Sequence, residues 1–560
     1  MKRKTIALLL GMMMACSMTA CGAKEEAPAA SAAESTAEEA EAAAEEATEE
    51  TAEAASDDAN ESINIYIGGG IFDSSMDPIK GFMSYAYPLV NEALLEVTPE
   101  STYKDALAEE WTVSDDALTY TFKLKEGIKF SDGSDFTSED VVFTYQQVMD
   151  NPGLNENVDL TKVKSIEADG DYTVVVKMNE AYSPFIDTAA MLQIVPSDAY
   201  DSDAFDTAPI GTGAYKVAQY DPNQQIILQV NDQYRGDAPD IEQVNIISMD
   251  QDTAFSNAVS GQMDVVMVSS TYINEQVEGM TVQKLETMDV RNISLPMSEP
   301  HKDKDSQGNE YEVGNAVTSD IAVRQALAIG IDRQQIIDNA FNGEGIPSVN
   351  FTDNLPWAND VNYDDKRADE AVENLEKAGW KLNEKDGIRE KDGLRCSFDL
   401  IAPGNDEDRY KLAAALAENA KELGIEINVR NESWDVAVDE ENKTPIVWGW
   451  GQYSPTVIHS LYYSDMFLEA QYANVSGYNN PEVDKKIDVA IAATSQEEAN
   501  ALWKEAQQIG EQEFPYLFIV NIQHSYFVKD NLDISLDTQV PHPHGHGSPI
   551  ICNLKDWTLN

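Results

Sequence analysis

The hydrophobic pattern changes period near residue 318, and this change limits the folds open to the chain. Upstream, apolar residues mostly alternate, as on strands with one buried face. Ile63-Asn64-Ile65-Tyr66-Ile67 predicts a short strand that exits through Gly68-Gly69-Gly70. Leu118 to Leu124 alternates around Tyr120 and Phe122. Tyr172 to Met178 predicts another strand, and Gly211-Thr212-Gly213-Ala214-Tyr215 opens more. Thr137 stands where it would cap a helix carrying Val141, Val142, Tyr145 and Val148 on one face. Downstream the period is helical. Ile321, Arg324, Leu327 and Ala328 recur at helix spacing, and Asp332 is placed to cap a second helix through Ile336 and Ile337. Helices are predicted over 368–377, closed by Gly379, and over 412–423, closed by Gly424. A strand over 425–429 follows, and later a helix over 497–509 and a strand over 516–521. Helix followed by strand predicts α/β packing in this half.

A chain of 560 residues exceeds one ordinary core, and at about 150 residues per domain it predicts roughly two to four packed units. The net charge of −62 excludes a nucleic-acid partner, because phosphates are repelled and no basic stripe offsets the field. The glycine run at 68–70 lacks a following Gly-Lys-Ser/Thr and is not a phosphate loop. Neither a Gly-x-Ser-x-Gly elbow nor a His-Glu-x-x-His helix occurs, so a hydrolase is disfavoured; a glycosidase built on two carboxylates stays open. No cofactor is expected.

The first twenty residues predict an export signal. Lys2, Arg3 and Lys4 precede an apolar run from Ile6 to Met14, and small residues lead to Cys21. That run is too short for a permanent bilayer span. Met18-Thr19-Ala20-Cys21-Gly22 resembles the lipobox of bacterial lipoproteins, with Cys16 a weaker competitor. The resemblance implies diacylglycerol on the Cys21 thiol and an anchor on the outer face of the cell membrane or in the periplasmic space. Residues 21–61 then read as a disordered tether. Fourteen acids stand against Lys24 between 22 and 61, with no aromatic or large aliphatic residue to bury. Cys396 and Cys552 are the other cysteines of the body, too few for a disulfide framework.

Two further stretches carry a family signature. They are Ala106-Leu107-Ala108-Glu109-Glu110-Trp111 and Tyr120 through Gly133, the latter ending Lys129-Phe130-Ser131-Asp132-Gly133. Gly211–Tyr215, Val323-Arg324-Gln325-Ala326-Leu327 with Ile331-Asp332-Arg333, Ala378-Gly379-Trp380, and Gly477-Tyr478-Asn479-Asn480-Pro481-Glu482-Val483-Asp484 follow in order. Together they resemble the oligopeptide/dipeptide/nickel class of bacterial extracellular solute-binding proteins, which serve ATP-driven (ABC) importers. The resemblance implies an α/β, two-lobed, periplasmic-binding-protein-like fold of type II with an extra β-rich subdomain and a hinge. Lobe I would span 62–315, including the β-rich part near 106–209, and take back 515–560; lobe II would span 316–514. It also implies a monomer without catalysis, which closes on a small ligand, most simply an oligopeptide, and delivers it to the permease. An oligosaccharide or a nickel or other metal complex is the alternative cargo.

The candidate ligand residues are Trp448, Trp450, Gly451, Gln452 and Tyr453, in Val447-Trp448-Gly449-Trp450-Gly451-Gln452-Tyr453-Ser454-Pro455, together with Trp434. Aromatics separated by glycines suit stacking on a ligand. The resemblance places here the Asp that pairs with a peptide ammonium, and its position falls on Gly451, which is no anion. Glu432 and Asp435 are substitutes, and Gly451→Asp is expected to raise affinity for free-amine peptides. Phe72, Met76 and Tyr85 are candidate contacts from lobe I. His542, His544 and His546 in Pro541-His542-Pro543-His544-Gly545-His546-Gly547 are the candidate metal ligands; a surface segment held by prolines is the plainer reading.

Overall fold

The computed structural model describes residues 62–560 apart from 69, 73–74, 82–87, 156–157, 352–354, 360, 405 and 545–547. The leader, Cys21, the acidic stretch, Tyr85 and His546 lie outside the described residues.

The alternating segments become strands. Ser62–Tyr66 pairs in parallel with Gln243–Ile247 on one side and Val265–Val268 on the other, inside a seven-stranded sheet. Ile63, Ile65, Val244, Ile246, Ile226 and Leu228 fill its core. A separate four-stranded sheet orders Ala108–Val113, Thr119–Leu124, Thr173–Met178 and Val163–Ala168. The helix Ser138–Asp150 packs on it, opened by a capping box in which Thr137 and Asp140 satisfy each other's backbone amides.

Past 318 the predicted helices form, each capped by an acidic side chain where the sequence supplies one. Asp320 caps Ile321–Gly330 and Asp332 caps Arg333–Phe341. The helix expected to begin at 412 begins five residues earlier, as Glu407–Lys421, because Asp406 accepts from Asp408 and Arg409 N–H. It crosses between the parallel strands Ser397–Pro403 and Glu426–Glu432, a βαβ unit. Arg324 does not pair with a carboxylate; it donates to the Thr318, Ser319 and Glu513 carbonyls at 2.7, 2.9 and 3.0 Å. Arg333, fully buried, likewise binds the Ser348, Phe518 and Ala328 carbonyls. Both arginines cross-brace loops and strands through those carbonyls, and Arg333 also lies 3.6 Å from Asp365. Cys396 and Cys552 are both buried and free.

Strand pairing decides where the chain passes from one sheet to the other. Met280–Leu285 and His524–Lys529 belong to the seven-stranded sheet, whereas Val290–Ser294 and Tyr516–Asn521 pair in a four-stranded sheet with Ile346–Pro347 and Val447–Trp450. The crossings are therefore 286–289 and 522–523. They touch: Thr287 Oγ1 donates to the Ile522 carbonyl at 2.6 Å, and Ile522 N–H to the Asp289 carbonyl at 3.0 Å. A third segment runs beside them. His542 N–H donates to the Glu286 carbonyl, Met288 N–H to the His542 carbonyl, and His544 N–H to the Gly451 carbonyl.

Candidate functional site

Val447–Trp450 is the edge strand of the four-stranded sheet, with Trp448 opposite Asn292, Gly449 opposite Arg291 and Trp450 opposite Val290. Alternation along the strand puts Trp448 and Trp450 on one face. Trp434, the first residue of the helix Trp434–Glu440, extends them into a row. Ring centroids lie 6.0 Å apart from Trp434 to Trp448 and 5.8 Å from Trp448 to Trp450. Tyr472 meets Trp448 edge-on at 5.8 Å. The middle ring of the row is the most buried and both ends are more open. Trp448 is 3% exposed and donates Nε1–H to Ser294 Oγ at 3.0 Å, whereas Trp434 is 38% exposed. These rings and Arg409 wall a cavity of about 370 Å³.

Arg409 is the wall's cation. Its guanidinium sits 5.2 Å from the Trp434 ring centroid and donates to the Val447 carbonyl at 2.7 Å and to Asp406 at 3.1 Å. Burial, then the neighbouring Arg291 charge, lower its pKa to about 10 against the pull of Asp406 and Asp289.

The glycines are there for close approach. A Cβ on Gly449 would stand 1.7 Å from Arg291 Nη1, and one on Gly451 would stand 2.5 Å from the Met288 carbonyl oxygen. Gly451 is thus a backbone contact to the first crossing, and an acid there has no room. Gln452, next to it, is exposed and reaches both the tryptophan cavity and a second cavity of about 950 Å³. The second cavity lies between the β-rich part, through Tyr182, Asp187 and Met191, and the helical part, through Ser454, His459 and Ile491. Ser183 ties its two walls together, donating N–H to the Ile491 carbonyl at 2.7 Å and Oγ–H to the Ala490 carbonyl at 2.9 Å. Tyr453 is buried on this cavity's edge, its hydroxyl donating to the Pro541 carbonyl at 2.7 Å.

Other candidates fall elsewhere. Glu432 is held by Arg430 at 3.0 Å, and Asp435 is exposed outside both cavities. Phe72 and Met76 are core residues, 7% and 1% exposed. His542 and His544 do not converge. His542 is buried with Nδ1 3.0 Å from His524 Nδ1, while His544 Nδ1 lies 2.9 Å from Asp289 Oδ1 and 3.2 Å from Arg291 Nη1. Among the described residues, no group of three or more His, Cys, Asp or Glu side chains is placed to hold a metal ion. The segment runs along the crossings, where His542 and His544 are packing and hydrogen-bonding groups. Sequence reasoning missed Arg409, Tyr472 and Asp187, which come from distant segments and carry no local signal.

The family described as bacterial extracellular solute-binding proteins, family 5 Middle, matches residues 102–471. Protein XP55 of Streptomyces lividans is 29% identical over 510 residues, 87% of this chain and 88% of that one. The oligopeptide-binding protein AppA of Bacillus subtilis is 26% identical over 454 residues, 77% and 80% of the two chains. A solved structure of that AppA in complex with a nonapeptide has a TM-score of 0.67 at 22% identity, covering 89% of this chain and 99% of that one. NikA from Brucella suis in complex with Fe(III)-EDTA has a TM-score of 0.75 at 21% identity, covering 89% and 100%. Among the described residues no helix is long and apolar enough to cross a membrane.

Proposed function

The chain belongs to the family 5 bacterial extracellular solute-binding proteins, and from that premise we propose that it captures an oligopeptide in the cleft lined by Trp434, Trp448, Trp450 and Gln452. The observation that carries this is continuity. The aromatic wall continues through the exposed Gln452 into a cavity of about 950 Å³, room for several residues of an extended chain. Rings stack on any peptide plane, and exposed amides read a backbone without demanding one sequence. The name of the Bacillus relative points to the same cargo. A metal complex is the second reading. Arg409 beside Trp434 suits an anionic chelate, and NikA from Brucella suis was solved with one.

In this reading the lobes meet at 286–289 and 522–523, where the chain changes sheets, in place of the expected 315 and 515. Closure about these crossings brings the β-rich part and the helical part onto the ligand, and the ligand's preference for the closed state drives it. The protein binds as a monomer without turning its ligand over and hands it to an ABC permease. Cys21 carries the lipid anchor and residues 22–61 form the tether.

Trp434→Ala is expected to weaken binding by roughly tenfold, about 1.4 kcal/mol, with little change in unfolding midpoint. The ring is more than a third exposed, so its loss leaves the core intact. Calorimetry with the captured ligand checks this; unchanged affinity removes Trp434 from the site. Native mass spectrometry of the full-length chain, purified gently from its own host, tests the cargo itself. A mixture of peptide masses supports the proposal, and a discrete metal-complex or sugar mass overturns it.

A further inference from the structure

We propose that Asp187 anchors an alkylammonium group of the ligand, in a subsite distinct from the tryptophan wall. The inference rests on reading the cleft as a ligand cavity. Asp187 lies on the helix Phe185–Met191, is 3% exposed, and lines the cavity of about 950 Å³. Its Oδ1 accepts from the Tyr103 hydroxyl at 2.6 Å, while Oδ2 is buried without a hydrogen bond, with Ser454 facing the carboxyl. A buried carboxylate with neither cation nor full hydrogen bonding is costly and rarely kept without a use.

The surroundings specify what would complete it. Asp159 and Asp488 share the cavity wall, and no ion pair among the described residues reaches these two or Asp187. The cavity's one lysine, Lys162, is already paired with Glu180. The same cavity is lined by Val158, Pro184, Met191, Met466 and Ile491, alongside the hydroxyls of Thr188, Thr456 and Ser460. A partly apolar cavity with carboxylates outside any ion pair matches an aliphatic stem ending in an ammonium. A carboxylate or phosphate would be repelled, and a neutral apolar group would leave Asp187 as it stands.

Burial pushes the Asp187 carboxyl up to about 6, with the Ser454 and Tyr103 hydroxyls acting against it. The phenols nearest it, Tyr103, Tyr120, Tyr182 and Tyr453, are all raised by burial and stay neutral. His459, across the cavity, is lowered by burial. An arriving ammonium favours the carboxylate, so binding releases the Asp187 proton. Affinity for a cationic ligand therefore falls as pH drops below about 6, by up to tenfold per pH unit.

The test is calorimetry on the full-length chain in detergent with three probes: an N-acetylated tetrapeptide carrying lysine, the same peptide with norleucine, and 1,5-diaminopentane. A fourth, the norleucine peptide with a free amino terminus, separates a side-chain ammonium from an α-ammonium. The wild type is expected to prefer a cationic probe over its neutral partner by at least tenfold at pH 7.5 and to lose that preference toward pH 5. Asp187→Asn abolishes the preference while keeping norleucine-peptide affinity. Its unfolding midpoint at pH 7.5 is unchanged or higher, because Asn still accepts from Tyr103 and the buried charge is gone. Equal binding of lysine and norleucine peptides, or a preference that survives in Asp187→Asn, overturns the inference. If no peptide binds but the diamine does, and only through Asp187, the inference stands and the peptide reading fails. If neither binds, both fail.

Discussion

Gly451→Asp is expected to lose ligand affinity and to lower the unfolding midpoint, the reverse of what the motif alone suggests. The new Cβ would lie 2.5 Å from the Met288 carbonyl oxygen, 2.7 Å from its carbon and 2.9 Å from the Asp289 nitrogen. All three are backbone atoms of the first crossing, so no rotamer relieves the clash. Overpacking of this kind costs about 1–3 kcal/mol even where neighbours shift. Here the shift also loosens the bond from His544 N–H to the Gly451 carbonyl at 2.8 Å. The added carboxylate would moreover sit beside the buried Asp289. Gln452→Glu is the companion variant. It places an acid one residue on, at an exposed position that reaches both cavities, and its midpoint is expected to match the wild type. Thermal unfolding and calorimetry on the two proteins decide the matter. A Gly451→Asp protein with unchanged midpoint and tighter peptide binding would show that the crossing does not press on Gly451.

The other large effect is expected at Asp289. Its side chain is fully buried, 3.0 Å from Arg291 Nη1 and 2.9 Å from His544 Nδ1. Burial raises its pKa, but the Arg291 and His544 interactions outweigh burial and hold the carboxyl well below the usual range. Asp289→Ala leaves the Arg291 guanidinium, itself largely buried, without its charge partner. Breaking one side of a buried pair costs about 3–5 kcal/mol. The sign with pH follows from the depressed pKa. The stabilisation is complete above the unfolded-state value near pH 4 and declines as pH falls toward the folded-state value. The Arg291 share of the gap between wild type and variant is therefore constant from pH 5 to 8 and narrows below about pH 4, while His544, whose own pKa burial lowers and Asp289 raises, adds a change where its imidazole protonates. Urea unfolding at pH 7 and pH 3, with both proteins also carrying His544→Asn so that only the Arg291 bond titrates, measures it, and a gap that widens on acidification would contradict the ion-pair account. Because Asp289 ends the first crossing, the same variant is expected to shift the balance of open and closed states and so to change ligand affinity.

Much of this architecture was legible along the chain because its causes act within a few residues. Alternation at Ile63–Ile67 and Thr119–Leu124 marked strands, and Thr137 and Asp332 marked helix starts through bonds to amides two or three residues on. The helix at 407–421 shows the limit. Its apolar stripe begins at Leu412, but the Asp406 cap moves the start upstream. The tryptophan wall was legible for the same local reason, since Trp448 and Trp450 share a face by strand period alone. Its glycines stood out too, but as spacers; that they admit Arg291 and Met288 is a fact of packing across two strands.

What the sequence by itself determined is the order of strands and helices, their caps, the family and the aromatic wall. Tertiary structure alone decided which sheet each strand joins, and so where the chain crosses. It also turned the histidine tract from candidate ligands into a brace beside the crossings, because His542 and His544 meet His524 and Asp289 from segments 18 and more than 250 residues away. It singled out Asp187 from 100 acidic residues. A carboxylate's solvation depends on what the folded chain puts around it, and nothing within a few residues of Asp187 records that surrounding.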